Sequence, residues 1–114
     1  MDIVGIDNYD QFGTWEEQLN GRFGLQYWLD FAKQHGKKLS IPEWGINNAG
    51  GGGYGDDPDY IRGMSEFMIQ NAEFIAYESY FNCNDCGVNA QVYPAGDPAN
   101  PLSSAEYKQL FGNP

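Results

Sequence analysis

The sequence predicts an α/β fold in which parallel strands alternate with helices. Three short β-branched or aromatic runs and three segments of helical periodicity follow one another along the 114 residues. Alternation of this kind implies parallel strands joined by right-handed crossovers. The length is that of one small domain with one core, so residues 1–114 are taken as a single domain.

The first unit begins with a strand predicted over residues 2–9, an apolar run that ends in polar residues. Its β-branched residues are typical of a strand buried on both faces. In the next segment the apolar residues recur at helical spacing, at Leu25, Trp28, Leu29 and Ala32. Because Gly21 and Gly24 interrupt the start of this segment, the helix is predicted over residues 24–35.

The second unit begins with a strand predicted over residues 38–44, Lys-Leu-Ser-Ile-Pro-Glu-Trp. Pro42 suits the last rung of such a strand, where pairing stops. A glycine-rich loop then leads to a helix predicted over residues 57–72. Asp57 is its expected N-cap, with Pro58 at the first helical position.

The third unit begins with a strand predicted over residues 74–81. Residues 88–93 are a candidate for a short additional strand. The last helix is predicted over residues 103–111, because Ser103 and Glu106 have the spacing of a capping box.

The order and spacing of these units predict a partial (β/α)₈, or TIM, barrel. A complete barrel has eight strands and about 250 residues, and three units are less than half of that. The chain enters a buried strand directly after Met1 and shows no signal peptide. We therefore expect an internal, truncated piece of a longer chain, or one whose export signal has been removed.

The net charge of −10 disfavours some partners. An acidic chain without a Lys/Arg cluster is a poor partner for nucleic acid or an anionic membrane. No apolar run approaches the roughly 20 residues that span a bilayer. The simplest interpretation of the charge is solubility.

Polar and aromatic residues gather where the predicted strands end. These ends carry Asp7, Asn8, Tyr9 and Asp10, then Glu43 and Trp44, then Tyr80, Phe81 and Asn82. In barrels the functional groups lie at the C-terminal ends of the strands. Aromatic faces stack on pyranose rings and carboxylates bond hydroxyls, so three such ends predict a saccharide-binding rim.

Two-residue alternation predicts which side chains face the barrel interior. The expected inward set is Ile3, Gly5, Asp7 and Tyr9, then Leu39, Ile41 and Glu43, then Ala76, Glu78, Tyr80 and Asn82. The expected outward set is Ser40, Pro42, Ile75, Tyr77 and Phe81.

Three segments carry a resemblance to a known group, DIVGIDNYD, KKLSIPEWG and FIAYESYFN. They resemble the sixth, seventh and eighth strands of clan A retaining glycoside hydrolases, and look most like the family 26 endo-β-mannanase group and its bacterial secreted relatives. The most specific feature is a strand-terminal Pro-Glu-Trp-Gly, one βα unit after Gly-Ile-Asp-x-Tyr. The resemblance covers nearly the whole chain. It implies a secreted enzyme acting on a β-linked polysaccharide, mannan or glucan.

The resemblance also implies catalytic roles. The clan's nucleophile is the seventh-strand glutamate, which corresponds to Glu43. Its acid/base residue lies at the end of the fourth strand, often in an Asn-Glu pair, which this sequence lacks. A retaining glycosidase needs two carboxyl groups about 5–5.5 Å apart, so we expect negligible hydrolysis by the isolated chain. Glu78 is the alternative second carboxylate, although its lower position on the strand favours a buried polar partner.

We expect the sugar to contact Asp7, Tyr9, Trp44, Glu78 and Tyr80. Plain packing is the alternative for the aromatic members, and a backbone contact is the alternative for Asp7. For the whole chain the alternatives are a non-catalytic saccharide-binding module and a self-associating partial barrel. No cofactor is expected.

Cys83 and Cys86 flank two residues in the loop after the third strand. A disulfide is the favoured interpretation, followed by free thiols and then zinc, because one cysteine pair is only half a metal site. The single histidine, His35, lies at a helix end, so no metal is expected.

A partial barrel leaves unpaired strand edges, and open edges recruit other chains. With Ile3, Leu39 and Ile41 expected on the uncovered inner face, we predict a homodimer or a complementing barrel fragment as partner. A C-terminal segment that folds back over this face within one chain is the alternative.

Overall fold

The chain alternates strands with helices in a computed structural model that describes residues 2–11, 13–49, 53–93 and 100–112. The elements are β1 (Ile3–Tyr9), α1 (Trp15–Asn20), α2 (Leu25–Gln34), β2 (Lys38–Gly45), α3 (Pro58–Gln70), β3 (Ile75–Tyr80) and α4 (Pro101–Phe111). A 3₁₀ turn, Ala72–Phe74, precedes β3.

The three strands form one open sheet in the order β1–β2–β3, and both pairs are parallel. Helices lie in the crossovers between consecutive strands. The predicted α/β fold, a partial barrel of three βα units, is confirmed.

The break between α1 and α2 has a steric cause. A Cβ on Gly21 would lie 2.3 Å from the carbonyl oxygen of Glu17, and a Cβ on Gly24 would lie 2.5 Å from that of Gln18. Only glycine therefore allows the tight turn that ends α1 and starts α2.

Residues 88–93 do not form the additional strand that the sequence suggested. The Asn82 side chain accepts hydrogen bonds from the backbone N–H groups of Val92 at 2.8 Å and Tyr93 at 3.0 Å. A side-chain amide thus takes the donors that a sheet ladder would have used.

The capping box predicted for the last helix is also wrong. α4 begins at Pro101, and the backbone N–H groups of Leu102 and Ser103 donate to the carboxylate of Asp56. Glu106 instead accepts from Arg62 of α3 at 3.2 Å. A carboxylate from a distant loop therefore caps this helix.

The predicted assignment of faces fails on β2, because the strand contains an extra residue. Gly5 pairs with Ser40 and Asp7 pairs with Glu43, so two steps on β1 match three steps on β2. A bulge of this kind reverses the alternation beyond it. Leu39 and Ile41 are consequently fully buried in the helix-covered core rather than facing inward with Glu43.

Ser40 and Pro42 are the residues on the open face of this strand. A Cβ built on Gly5 would contact the Ser40 Oγ at 3.2 Å and the Pro42 Cγ at 4.0 Å. Their expected outward position was therefore wrong for the same reason.

A second irregularity shifts β3. Ile75 pairs with Leu39 and Tyr77 pairs with Ser40, so Tyr77 lies on the open face, where it is 52% exposed. Ile75 packs against the core as expected. Phe81 was expected against the helices, yet its ring meets the edge of Tyr9 at 6.1 Å.

The core lies between the sheet and the helices on one face. Its largest fully buried members are Trp44, Tyr60, Leu25, Leu29, Leu39, Ile41, Ile46, Ile61 and Met64. The opposite face of the sheet, called the open face, has no helix of the described chain packed on it. Ser40, Pro42 and Tyr77 lie on this face. No helix in the described ranges has the length and apolar character to cross a membrane.

Candidate active site

Glu43 and Tyr9 form a hydrogen-bonded pair at the C-terminal ends of β1 and β2. The parallel register aligns Asp7 with Glu43 and Tyr9 with Gly45, which brings the two side chains to the same end of the sheet. The phenolic Oη of Tyr9 donates to Oε1 of Glu43 at 2.6 Å, and both residues are half-buried. The carboxylate is thereby held in one orientation.

Tyr9 acts as a donor across the physiological pH range. Partial burial, together with the bond to Glu43 and the charges of Glu43 and Asp7, raises the pKa of Tyr9 well above its usual value. The ring is braced edge-to-face by Phe81, with centroids 6.1 Å apart.

Asp7 joins this pair, because it is exposed and lies directly opposite Glu43 in the register. The remaining three residues of the sequence-predicted site lie elsewhere.

Trp44 is fully buried and belongs to the core. Its ring packs on Tyr80 at 4.8 Å and on Phe111 at 5.8 Å, so it offers no face to a sugar. Its indole Nε1 donates to Oε2 of Glu78 at 2.6 Å. We therefore leave Trp44 out of the candidate site.

Glu78 lies beside Trp44 and α4 rather than beside Glu43. It pairs in register with Ile41 of the helix-covered face, and it is exposed, not buried as expected. The bulges on β2 and β3 explain why it does not share the face of Glu43.

Tyr80 holds a loop in place. Its Oη donates to the carbonyl of Ala90 at 2.5 Å and accepts from the N–H of Ile46 at 3.4 Å. Burial raises the pKa of Tyr80 well above its usual value. These contacts tie the segment after the disulfide to the end of β2.

A cleft of about 370 Å³ adjoins the Tyr9–Glu43 pair. It is lined by Asp7, Asn8, Tyr9, Gln11, Glu17, Gln18, Arg22, Phe23 and Gly24. Sequence reasoning missed the residues from the α1–α2 turn, since they belong to a glycine-rich break without a recognisable motif. The exposure of Phe23 is not visible in sequence periodicity.

Asp10 is a second carboxylate that sequence reasoning left unassigned. It is only 2% exposed, and its Oδ1 accepts from Gln18 Nε2 at 2.7 Å. Burial first, and then the contact with Asp57, raise the pKa of Asp10 to about 7. Ionised Oδ2 has no donor among the described residues, whereas protonated Oδ2 can donate to Asp57.

Cys83 and Cys86 are joined by a disulfide. Within the described residues, no group of three or more His, Cys, Asp or Glu side chains is arranged to hold a metal ion.

The chain matches no protein-family model and no curated protein. Its fold is similar to that of a variant of an endo-β-1,4-glucanase from Xanthomonas axonopodis pv. citri, with a TM-score of 0.58 and 13% sequence identity. The match covers 93% of this chain and 35% of the glucanase chain. The likeness is one of fold, and this chain spans about a third of the glucanase's length.

Proposed function

We propose that this chain supplies the nucleophile-bearing part of a retaining glycoside hydrolase that acts on a β-linked polysaccharide, glucan or mannan. The observation that carries the proposal is the Tyr9–Glu43 pair, with its 2.6 Å bond, at the C-terminal edge of the sheet. That edge is where barrel enzymes hold their catalytic groups. The similarity of fold to an endo-β-1,4-glucanase supports the same assignment.

In the proposed mechanism the Glu43 carboxylate attacks the anomeric carbon of the sugar. A glycosyl ester forms while the bond to the leaving oxygen breaks, and a carboxylic acid protonates that oxygen. Water then attacks the anomeric carbon and transfers its proton to the same residue, now a carboxylate, while the bond between the sugar and Glu43 breaks. Tyr9 positions the nucleophile, and Asp7 is available to bond a hydroxyl of the sugar.

The acid/base carboxyl group comes from outside this chain in the proposal. Glu78, the alternative, is bonded to Trp44 beside α4. General acid–base help is worth about 10²–10⁴ in rate, so the isolated 114-residue chain should hydrolyse β-glucan or mannan negligibly. The remaining strands would come from a longer parent chain or a complementing fragment. We use the term completed barrel for this chain together with those remaining strands. We propose that the completed barrel acts outside the cell.

The test compares two glutamate variants in the completed barrel. Glu43→Gln should lower kcat by about 10³-fold or more, as expected for loss of a nucleophile. Glu78→Gln is the matched control, and it should retain near-normal kcat. Full activity of Glu43→Gln would refute the assignment. Binding of oligosaccharide without turnover by the wild-type completed barrel would favour the non-catalytic alternative.

A further inference from the structure

The backbone of Phe23 is strained. Its φ of 58° makes it the one non-glycine residue with a positive φ among those the structure describes. Bulky residues adopt this conformation only at a cost in free energy. Such outliers occur at functional sites when the surrounding structure enforces them.

Burial does not compensate for this strain. Phe23 is 54% exposed and lies outside the hydrophobic core. Its ring contacts Tyr27, itself exposed, edge-to-face at 5.1 Å and Trp28 at 6.4 Å. The fold therefore holds an aromatic ring out towards solvent.

The turn that carries Phe23 is fixed at both ends. The N–H of Gly24 donates to the carbonyl of Gly21 at 3.0 Å, and Gly21 packs directly on the carbonyl of Glu17. Helices α1 and α2 flank the turn. An aromatic ring on such a support is pre-organised for binding.

The cleft beside Phe23 is continuous with the proposed active site. It is lined both by Asp7 and Tyr9 of that site and by Arg22 and Phe23 of the turn between α1 and α2. Its volume of about 370 Å³ lies in the range of small-ligand sites. The guanidinium of Arg22 lies over one face of the Phe23 ring, 4.9 Å from its centre, so a hydrogen-bond donor lies beside the exposed ring.

We propose that this cleft is a distal subsite for the polysaccharide chain, in which the Phe23 ring stacks on a pyranose and Arg22 donates to its hydroxyls. The occupant is the same β-linked chain whose reacting unit lies at Glu43, so the inference rests on the proposed function. Polar side chains such as Gln11 also line this cleft. This combination of an aromatic face and amide or guanidinium donors suits an uncharged saccharide.

The experiment is an NMR titration of the ¹⁵N-labelled 114-residue chain with β-1,4-linked hexasaccharides of glucose and of mannose. At least one of them should shift the amides of residues 21–28. Phe23→Gly should weaken binding about tenfold, the upper end of the value of an aromatic contact. Phe23→Tyr keeps the ring and should bind like the wild type.

Folding does not confound this comparison. Glycine is the residue best suited to a positive φ, so Phe23→Gly should melt at or near the wild-type temperature. Ile69→Ala, at a side chain that is 73% exposed on α3, is the control for truncating a surface apolar residue and should bind normally. An α-1,4-linked hexasaccharide of glucose should not shift residues 21–28.

The outcomes separate this inference from the proposed function. Unchanged affinity of Phe23→Gly, or shifts confined to residues away from the cleft, would overturn the subsite even if Glu43→Gln abolishes turnover. Conversely, Phe23-dependent binding together with full activity of Glu43→Gln would support the subsite and refute the assignment of Glu43 as nucleophile.

Discussion

At the residue scale, two carboxylates near the ends of β1 and β2 lie in opposite environments. Glu43 accepts a hydrogen bond from Tyr9 and borders the open face. Asp10 is buried, accepts a hydrogen bond from Gln18, and faces a second carboxylate, Asp57. Burial and the neighbouring Asp57 carboxylate oppose a negative charge on Asp10.

Asp10 predicts an unusual pH dependence of stability. Because the pKa of Asp10 is raised from 3.8 to about 7 on folding, the native state binds the proton more tightly than the unfolded chain. Stability from this group is therefore present at low pH and is lost as pH rises from about 4 through 7. We expect a loss of about 1–3 kcal/mol, with Asp57 and Tyr60 the titratable groups that face it.

Asp10→Asn checks this expectation in urea melts between pH 4 and 8. The amide reproduces the protonated acid, since it can accept from Gln18 and donate to Asp57. The variant should be more stable than the wild type at pH 8, and its free energy of unfolding should not show the decline expected of the wild type between pH 4 and 7. Asp30→Asn, at an exposed residue of α2, should keep it. A wild-type profile that rises from pH 4 to 7 would contradict the assignment.

Tyr9→Phe tests the hydrogen bond to Glu43 in the completed barrel. A charge-assisted hydrogen bond is worth about 1.5–3 kcal/mol, so kcat should fall by about 10- to 100-fold. KM should change little, because the bond orients the nucleophile rather than holding the sugar. Tyr77→Phe, which removes a hydroxyl from the same open face, is the control. Equal kcat for Tyr9→Phe and the wild type would exclude a positioning role.

At the element scale, the strands and helices follow from the sequence, but the faces of the strands do not. Alternation assigned Leu39 and Ile41 to the face of Glu43, whereas one extra residue in β2 reverses it. Pro42 was the local signal, since proline occurs at bulges as well as at strand ends. Register depends on neighbouring strands, so a single strand's sequence does not contain it.

The same limit applies to the site. The Pro-Glu-Trp-Gly pattern identified Glu43 as the candidate nucleophile, and Tyr9 and Asp7 followed from the strand ends. Trp44 was misassigned, because the bulge directs it into the core. Phe23 could not be predicted, since its exposure depends on the turn between two helices.

The contact between α1 and α3 predicts a stability effect. A Cβ on Gly63 of α3 would lie 2.4 Å from Cε2 of Trp15. Gly63→Ala should therefore destabilise the fold by about 1–3 kcal/mol through overpacking, although alanine favours a helix. Urea denaturation measures the change.

The control is a double-mutant cycle in which Gly63→Ala is also made in the Trp15→Ala variant. Without the indole ring the clash disappears, and Gly63→Ala should then stabilise the fold by up to about 1 kcal/mol through helix propensity. Destabilisation of equal size in both backgrounds would mean that the Trp15 contact is not its cause.

At the scale of the whole molecule, the open sheet predicts self-association. β1 and β3 are the edges of the described sheet, and Ile3 and Tyr77 are 39% and 52% exposed on its uncovered face. Leu39 and Ile41 do not contribute, because both are buried. Unpaired edges attract further strands, so we expect a homodimer at micromolar concentration.

Sedimentation equilibrium measures the oligomeric state of the isolated chain. Ile3→Lys places a lysine on the open face and should weaken the dimer. A wild-type monomer of 12.8 kDa would contradict the dimer. The alternative, closure of the open face by the C-terminal segment, does not hold for α4, which packs on α3 and against Trp44 of the core.

Covalent trapping of the sugar tests whether Glu43 is the glycosidase nucleophile. The completed barrel is treated with a 2-deoxy-2-fluoro β-glycoside that has a good leaving group, and its peptides are analysed by mass spectrometry. We expect one sugar per barrel, attached to Glu43, and no label in Glu43→Gln. A label on Glu78 or on any other carboxylate would contradict it.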